Sequence, residues 1–221
     1  MAPDGPAAPG VGGGATGPLA RRLEEYRFPE GYRRMFLSAA YAFAEKGFHG
    51  TTTRDIAARA GMSPAAMYAF FRSKEDALYQ IAIAALDLTV EMLSAEGARS
   101  RRPADRLRDV VKILSIWYAN NSPVASVVLH QLGALTPEHQ AEVLSRKRAI
   151  DQVVRGVITD GVASGDFVIC DVTAIETAIM SLCVDVARWY RAGGRRTPEA
   201  IGELNADLAL RLVQPAPDPV R

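Results

Sequence analysis

Cysteine, histidine and tryptophan are scarce in this 221-residue chain, which has two, three and two of them. Cys170 and Cys183 form neither a disulfide framework nor a Cys-x-x-Cys pair, which excludes stapled secreted domains and thioredoxin-like redox proteins. His49, His130 and His139 fall in three different elements with no partner at metal-ligand spacing, so no zinc site is expected. The net charge is only +1, which excludes a protein that coats nucleic acid by bulk charge. There is no nucleophile elbow, phosphate loop or dinucleotide fingerprint, and Asp160 and Asp166 bracket Gly161 and Gly165 as a helix end and turn would. No enzyme activity, cofactor or metal is therefore expected. Long apolar runs are missing too: IAIAAL and the segment after it are cut by Asp87 and Glu91, short of the roughly 18 residues of a membrane helix. The opening MAPDGPAAPGVGGGATGPLA lacks the positive start and apolar core of a signal peptide. The expectation is a soluble, cytoplasmic protein with no membrane partner.

What is present is apolar content of 48% in a chain long enough to bury a real core, as one large domain or two small ones. Residues 1–22 are nearly all Gly, Pro and Ala, a composition that cannot offset the entropy of ordering, and are expected to form a disordered tail. From Pro29 onward the pattern is helical. Ser63-Pro64, Ser122-Pro123, Thr136-Pro137 and Thr197-Pro198 each place a capping residue before a proline suited to the first helical position. Between these starts the spacing predicts an all-α fold of about nine helices. A three-helix unit occupies 23–73, a larger helical bundle 74–214, and a breaker-rich flexible end 215–221. Charge is uneven along the chain: Arg21 to Gln80 carries ten Lys/Arg against seven Asp/Glu, a net of +3, and Ile81 to Arg221 a net of −1.

The stretch TTRDIAARAGMSPAAMYAFFRSKEDAL, residues 52–78, carries the most specific signal. Thr52 and Asp55 have capping-box spacing, Ile56, Ala57 and Ala60 recur at helical intervals, and Gly61 supplies a left-handed end. After the turn Gly61-Met62-Ser63, Ser63 caps and Pro64 begins a second short helix. Met67 and Phe71 form its inner face, leaving Ala65, Ala66, Tyr68 and Ala69 outward, a small surface able to lie in a major groove. Ser73 with Asp76 starts the next helix. Two short helices about a glycine turn make a helix-turn-helix, the geometry of a DNA reader.

These pieces, together with GTTTRDIA, AGMS, MYAFF and SKEDAL and the preceding helix with Tyr32, Met35, Phe36, Ala39, Ala40, Phe43 and Gly47-Phe48, resemble the DNA-binding domain of the TetR (tetracycline-repressor) family of bacterial transcription regulators. The resemblance implies that Thr52 and Thr53 hydrogen-bond phosphate and that Arg54 reaches a guanine edge. It further implies that Pro64, Ala65 and Ala66 touch bases, that Tyr68 and Lys74 hold phosphates, and that Ser63 belongs to the same DNA-binding set. Phe70 departs from the family, which commonly has Tyr or His there, so the polar phosphate contact of that position is not expected here.

In the C-terminal part, Ile175, Ile179, Leu182, Val186 and Trp189 recur at alternating intervals of four and three, as do Ile201, Leu204 and Leu208. Two arrangements satisfy these faces: burial within one protomer, or a four-helix interface between two copies, with Ile179, Leu182, Val186, Leu204 and Leu208 at the seam. The second is what the resemblance implies, and a homodimer suits a twofold operator. Trp117, Tyr118, His130, Met180, Cys183 and Trp189 mix large apolar surface with polar handles and are the candidate lining of a small-molecule pocket, each also acceptable as core. TPEHQAEVL, DGVASGDF, VARWYR and TPEAI resemble a branch of the family that includes repressors of steroid and fatty-acid breakdown, which implies an inducer such as a long acyl-CoA or steroid-derived thioester. The function expected is a ligand-responsive repressor on double-stranded DNA. The competing reading is a helical interaction protein or small-molecule carrier without specific DNA binding, which a DNA titration separates.

Overall fold

The computed structural model describes residues 28–97 and 102–213, and every regular element among them is helical. In order these are α1 Glu30–Gly50, α2 Thr53–Arg59, α3 Pro64–Tyr68, α4 Lys74–Gly97, α5 Pro103–Asn120 and α6 Ser122–His130. A 3-10 turn at Leu132–Ala134 leads to α7 Pro137–Ser164, α8 Val172–Val184, α9 Val186–Trp189 and α10 Pro198–Val213. The all-α class is as expected, and α8 with α9 is the expected eighth helix interrupted at Asp185. That rod ends at Tyr190, whose backbone is extended, rather than running on to Ala192. The tails expected at 1–22 and 215–221 lie outside the described residues.

Most starts follow the capping chemistry written in the chain. Asp55 N–H donates to Thr52 Oγ1 at 3.1 Å while Thr52 N–H donates to Asp55 Oδ2 at 2.8 Å, a reciprocal capping box. The Ser63, Thr136 and Thr197 hydroxyls accept from the third residue on, and Asp171 accepts from Thr173 and Ala174 N–H. Ser122 is the exception: it lies inside α6, which follows Asn121 with no side-chain cap. Asn121 N–H and Nδ2 instead return to Trp117 O at 2.9 and 3.0 Å, so α5 runs almost directly into α6.

α4 is the central strut of the core. Its Lys74–Ser94 span is long and apolar enough to cross a membrane by length and composition, with a mean hydropathy of 1.3, and half of it is buried. Leu78, Ile81, Ala82, Ala85 and Leu93 are fully buried, so this span, longer and more apolar than the cuts at Asp87 and Glu91 imply, is a core helix packed on α7, α5 and α6. α10 lies along α5 so closely that a Cβ on Gly202 would stand 3.0 Å from Ile116 Cγ1. Arg108 and Lys112 of α5 bind Glu203, and Arg108 also binds Asp207 at 2.7 Å. Beneath them Asn205 Nδ2 donates to Ser115 Oγ at 3.0 Å and to Leu182 O at 3.2 Å, a buried polar contact among α5, α8 and α10.

Candidate nucleic-acid interface and internal cavity

The helix-turn-helix closes on itself by local chemistry. Gly61 has φ +65°, the left-handed conformation that ends α2 without a side-chain penalty. Arg34 Nη2 donates to Ala60 O, tying the last turn of α2 to α1. Met67 and Phe71 are buried and Ile56 and Ala57 face them from α2, so α3 turns outward a surface of Pro64, Ala65, Ala69 and Tyr68, which is 58% exposed, with Ala66 half-buried. Ser63 is exposed at its start, and Phe70 packs edge-on against Tyr32.

Charge on this face is sorted by ion pairs. Lys46 Nζ meets Asp55 at 2.7 Å and Arg59 meets Glu45 at 2.7 Å. The hydrogen bond from Lys46, aided by those from Thr52, holds the Asp55 carboxyl far below the usual carboxylate range. Asp55 and Glu45 are thereby neutralised, while exposed Arg54 and Arg72 carry no ion pair among the described residues. Arg72 was not foreseen from the sequence, where only its charge marked it. Thr52 is exposed, yet its hydroxyl hydrogen goes to Asp55 Oδ2 at 2.5 Å, so Thr53 is the hydroxyl of the pair left to donate outward.

Lys74 departs from its expected role as a plain phosphate clamp. Its Nζ donates to Phe48 O and Thr51 O, each at 2.8 Å, and stands 4.3 Å from the centroid of the Phe48 ring. Two of its three hydrogens therefore cap the end of α1, leaving one for a phosphate. That end needs capping because Gly47, with φ +72°, breaks the helical path. The vacated bonds are taken by Gln131 at the end of α6: its Nε2 donates to Phe43 O at 2.9 Å, and its Oε1 accepts from Phe48 N–H. Gln131 thus clasps the helix-turn-helix unit to the bundle, and no motif in the sequence marked it.

Within the bundle is a cavity of about 100 Å³. Its walls are Ala85, Leu86 and Thr89 of α4, Trp117 and Tyr118 of α5, Ala125, Val128 and Leu129 of α6, Lys147 and Ile150 of α7, and Met180 and Val184 of α8. Of the six residues expected to gather here, Trp117, Tyr118 and Met180 do so. His130 is exposed at the end of α6, its Nδ1 2.9 Å from Ser126 O, because the buried face of α6 is Val124, Ala125, Val127 and Val128. Cys183 packs on α5 instead, its Sγ 3.6 Å from Ser115 Oγ, and burial pushes its thiol pKa up. Trp189 lies beyond the interruption at Asp185 and is 43% exposed. It lines a separate open groove of about 550 Å³ with Tyr190, Arg191, Gly194, Arg195, Arg196 and Ile201. Burial, then the nearby Cys183 and Asp151, raises the Tyr118 phenol well above its usual value.

The expected seam divides likewise. Ile179 and Val186 have no exposed surface and belong to the protomer core, because the 179-183-186 side of the α8–α9 rod faces inward. Leu182 and Leu208 are half-buried, and Leu204 and Leu212 are each 38% exposed. The outer surface of α8 thus includes Leu182 with Thr177 and Ser181, and that of α10 includes Leu204, Leu208 and Leu212.

Comparison with known proteins places these elements. Residues 37–79 match the family model of bacterial regulatory proteins, tetR family, and residues 100–213 match that of the tetracyclin repressor-like C-terminal domain. The HTH-type transcriptional repressor KstR2 of Mycobacterium tuberculosis is 28% identical over 169 residues, 75% of this chain and 84% of the relative. A solved bacterial regulatory protein in the tetR family from Rhodococcus RHA1 superposes with a TM-score of 0.80 at 34% identity, over 86% of this chain and all of that one. The structure of AibR in complex with isovaleryl coenzyme A and operator DNA has a TM-score of 0.74 at 24% identity, over 85% of this chain and 100% of that one.

Proposed function

Since the chain belongs to the tetR family of bacterial regulatory proteins, we propose that it is a transcriptional repressor that holds a twofold operator as a homodimer and releases it when an acyl thioester occupies the internal cavity. The observation that carries this reading is the clasp of Gln131 on α1. Val128 and Leu129 of α6 wall the cavity, and the residue two places on grips the helix that carries the DNA reader. A ligand that favours a shifted α6 therefore biases the placement of α3, which is what coupling two sites requires.

On the DNA side, residues 23–73 act as the reading unit. α3 lies in the major groove with Ser63, Pro64, Ala65 and Ala66 against the bases, Arg54 addresses a guanine edge, and Thr53, Tyr68 and the free hydrogen of Lys74 meet phosphates. Residues 74–214 hold effector and partner. Two copies pair through Leu182, Leu204, Leu208 and Leu212, so that their reading helices meet successive major grooves. Repression is supported by similarity to the transcriptional repressor KstR2, and a thioester as effector by similarity to AibR, whose structure is in complex with isovaleryl coenzyme A and operator DNA.

The test is fluorescence anisotropy against fragments of the DNA upstream of the protein's own gene, at several salt concentrations. One fragment should bind with two protomers per site and much more tightly than random DNA, and an acyl thioester should release it. If every fragment binds only as random DNA does, the protein is a helical carrier.

A further inference from the structure

One wall residue of the cavity carries a polar group that packing alone does not explain. Trp117 is 3% exposed, and its indole Nε1–H is buried with no hydrogen-bond partner. An indole nitrogen can only donate, and an unmet buried donor is a standing cost that native proteins seldom leave in place. Of the two wall hydroxyls, that of Thr89 donates to Ala85 O at 2.8 Å, and that of Tyr118 is a second polar group beside the indole. Most of the wall is hydrocarbon, from Val128, Ile150 and Met180 among others; the one charged wall residue is Lys147, which interacts with Asp151 one turn on along α7.

Volume limits what can enter. An apolar cavity of about 150 Å³ holds the six carbons of benzene, so one of about 100 Å³ accommodates roughly four. A steroid nucleus or a long chain, the effectors implied by the branch resemblance, exceeds that several-fold. We propose, resting on the reading of this cavity as the effector site, that it takes a short acyl group of about three to five carbons whose carbonyl oxygen accepts a hydrogen bond from Trp117 Nε1–H. The hydrocarbon wall takes the chain, the orphaned donor takes the oxygen, and Lys147 favours a ligand that is anionic beyond the acyl group. Both a free short-chain carboxylate and a coenzyme A thioester meet that description.

Calorimetry on the full-length protein tests this with butyryl-CoA, isovaleryl-CoA, palmitoyl-CoA, cholyl-CoA, free butyrate and isovalerate, and S-butyl-CoA, a thioether without the carbonyl. Butyryl- and isovaleryl-CoA should bind at least about tenfold more tightly than palmitoyl- or cholyl-CoA. Trp117→Phe should weaken butyryl-CoA about tenfold and leave S-butyl-CoA within about twofold, a contrast that mere loss of shape would not produce. If the variant fails to fold, the wild-type protein should still prefer butyryl-CoA to S-butyl-CoA by about tenfold. Tighter binding of the long or steroid thioesters overturns the inference while leaving a thioester-responsive repressor standing. Equal loss of butyryl-CoA and S-butyl-CoA in Trp117→Phe overturns the role of the indole. Binding of the free acids without the thioesters retains the short acyl group and overturns the thioester reading; binding of none of these compounds overturns both.

Discussion

Replacing Gln131 by Met keeps the length of the side chain and removes both atoms that grip α1. The Phe43 carbonyl and the Phe48 N–H then lose their partners at a break in the helix where backbone cannot replace them. Both bonds are partly buried, and at about 1 kcal/mol net for each the joint between α6 and α1 is weakened by about 2 kcal/mol, roughly 30-fold in an equilibrium constant. Coupling between two sites in one protein typically amounts to about 1–3 kcal/mol, so this loss is large enough to remove most of it. In the wild type, a releasing thioester should weaken operator binding by a factor within about 5–150; in Gln131→Met the factor should fall below about three. Affinity for the thioester in the absence of DNA should not change, since Gln131 is not among the cavity walls. The measurement is a pair of titrations, operator with and without thioester and thioester with and without operator. Linkage requires the two to report the same factor. Full coupling retained in Gln131→Met, with urea melts showing that the 2 kcal/mol has gone, would refute the role given to the clasp.

Arg54→Ala should relax base preference at one operator position by about 1–3 kcal/mol, whereas Lys74→Ala should weaken binding to specific and random DNA alike. Lys74→Ala should also lower the stability of the protein, because two charge-assisted bonds to Phe48 O and Thr51 O are lost at about 1.5–3 kcal/mol each; anisotropy and urea melts separate the two effects, and an unchanged melt would show that the lysine is only a phosphate contact. Leu204→Asp places a charge on a side chain that is 38% exposed in the protomer, so light scattering should return a folded monomer of about half the dimer mass with circular dichroism unchanged, whereas an unaltered dimer would move the seam elsewhere. Because the folded-state pKa of Asp55 is depressed, the stability it contributes is present above the usual carboxylate pKa and is lost as pH falls through the lower folded value. Asp55→Asn should therefore be less stable than wild type at pH 7, with the gap closing only under strong acid; a gap that closes near pH 5 would contradict the ion pair with Lys46.

Features decided within a few residues were legible in the sequence, and those decided across the fold were not. Thr52 with Asp55, Gly61, and Ser63 with Pro64 specify their caps and turn by their own chemistry, and the structure has them so. Periodicity identified apolar faces but not their neighbours. Ile179 and Leu182 share one pattern, yet the first meets the core and the second the outer surface. Cys183 and Met180 are three residues apart, and only Met180 reaches the cavity. Gln131 and Lys74 act on main-chain carbonyls far away in sequence, at Phe43, Phe48 and Thr51. A carbonyl is present at every residue and leaves no mark in a sequence, so such partners emerge only once the helices are placed. The interruption at Asp185 gave no breaker signal either: the residue is held by a two-point pair with Arg188 at 2.6 and 2.9 Å, within a run that otherwise reads as one helix.

Asn205 acts as an index pin for the helix beside it. Leucines tolerate rotation, since any apolar wall receives them, whereas an amide donating to Ser115 Oγ and Leu182 O is satisfied at one azimuth of α10 only. The compass bearing of Leu204, Leu208 and Leu212 is therefore set from inside the fold, by a residue that is itself buried. Two non-identical chains with matching outer leucines but different indexing would present those leucines at different angles and fail to mesh. In the homodimer proposed above, a single buried amide would in this way favour pairing of like subunits.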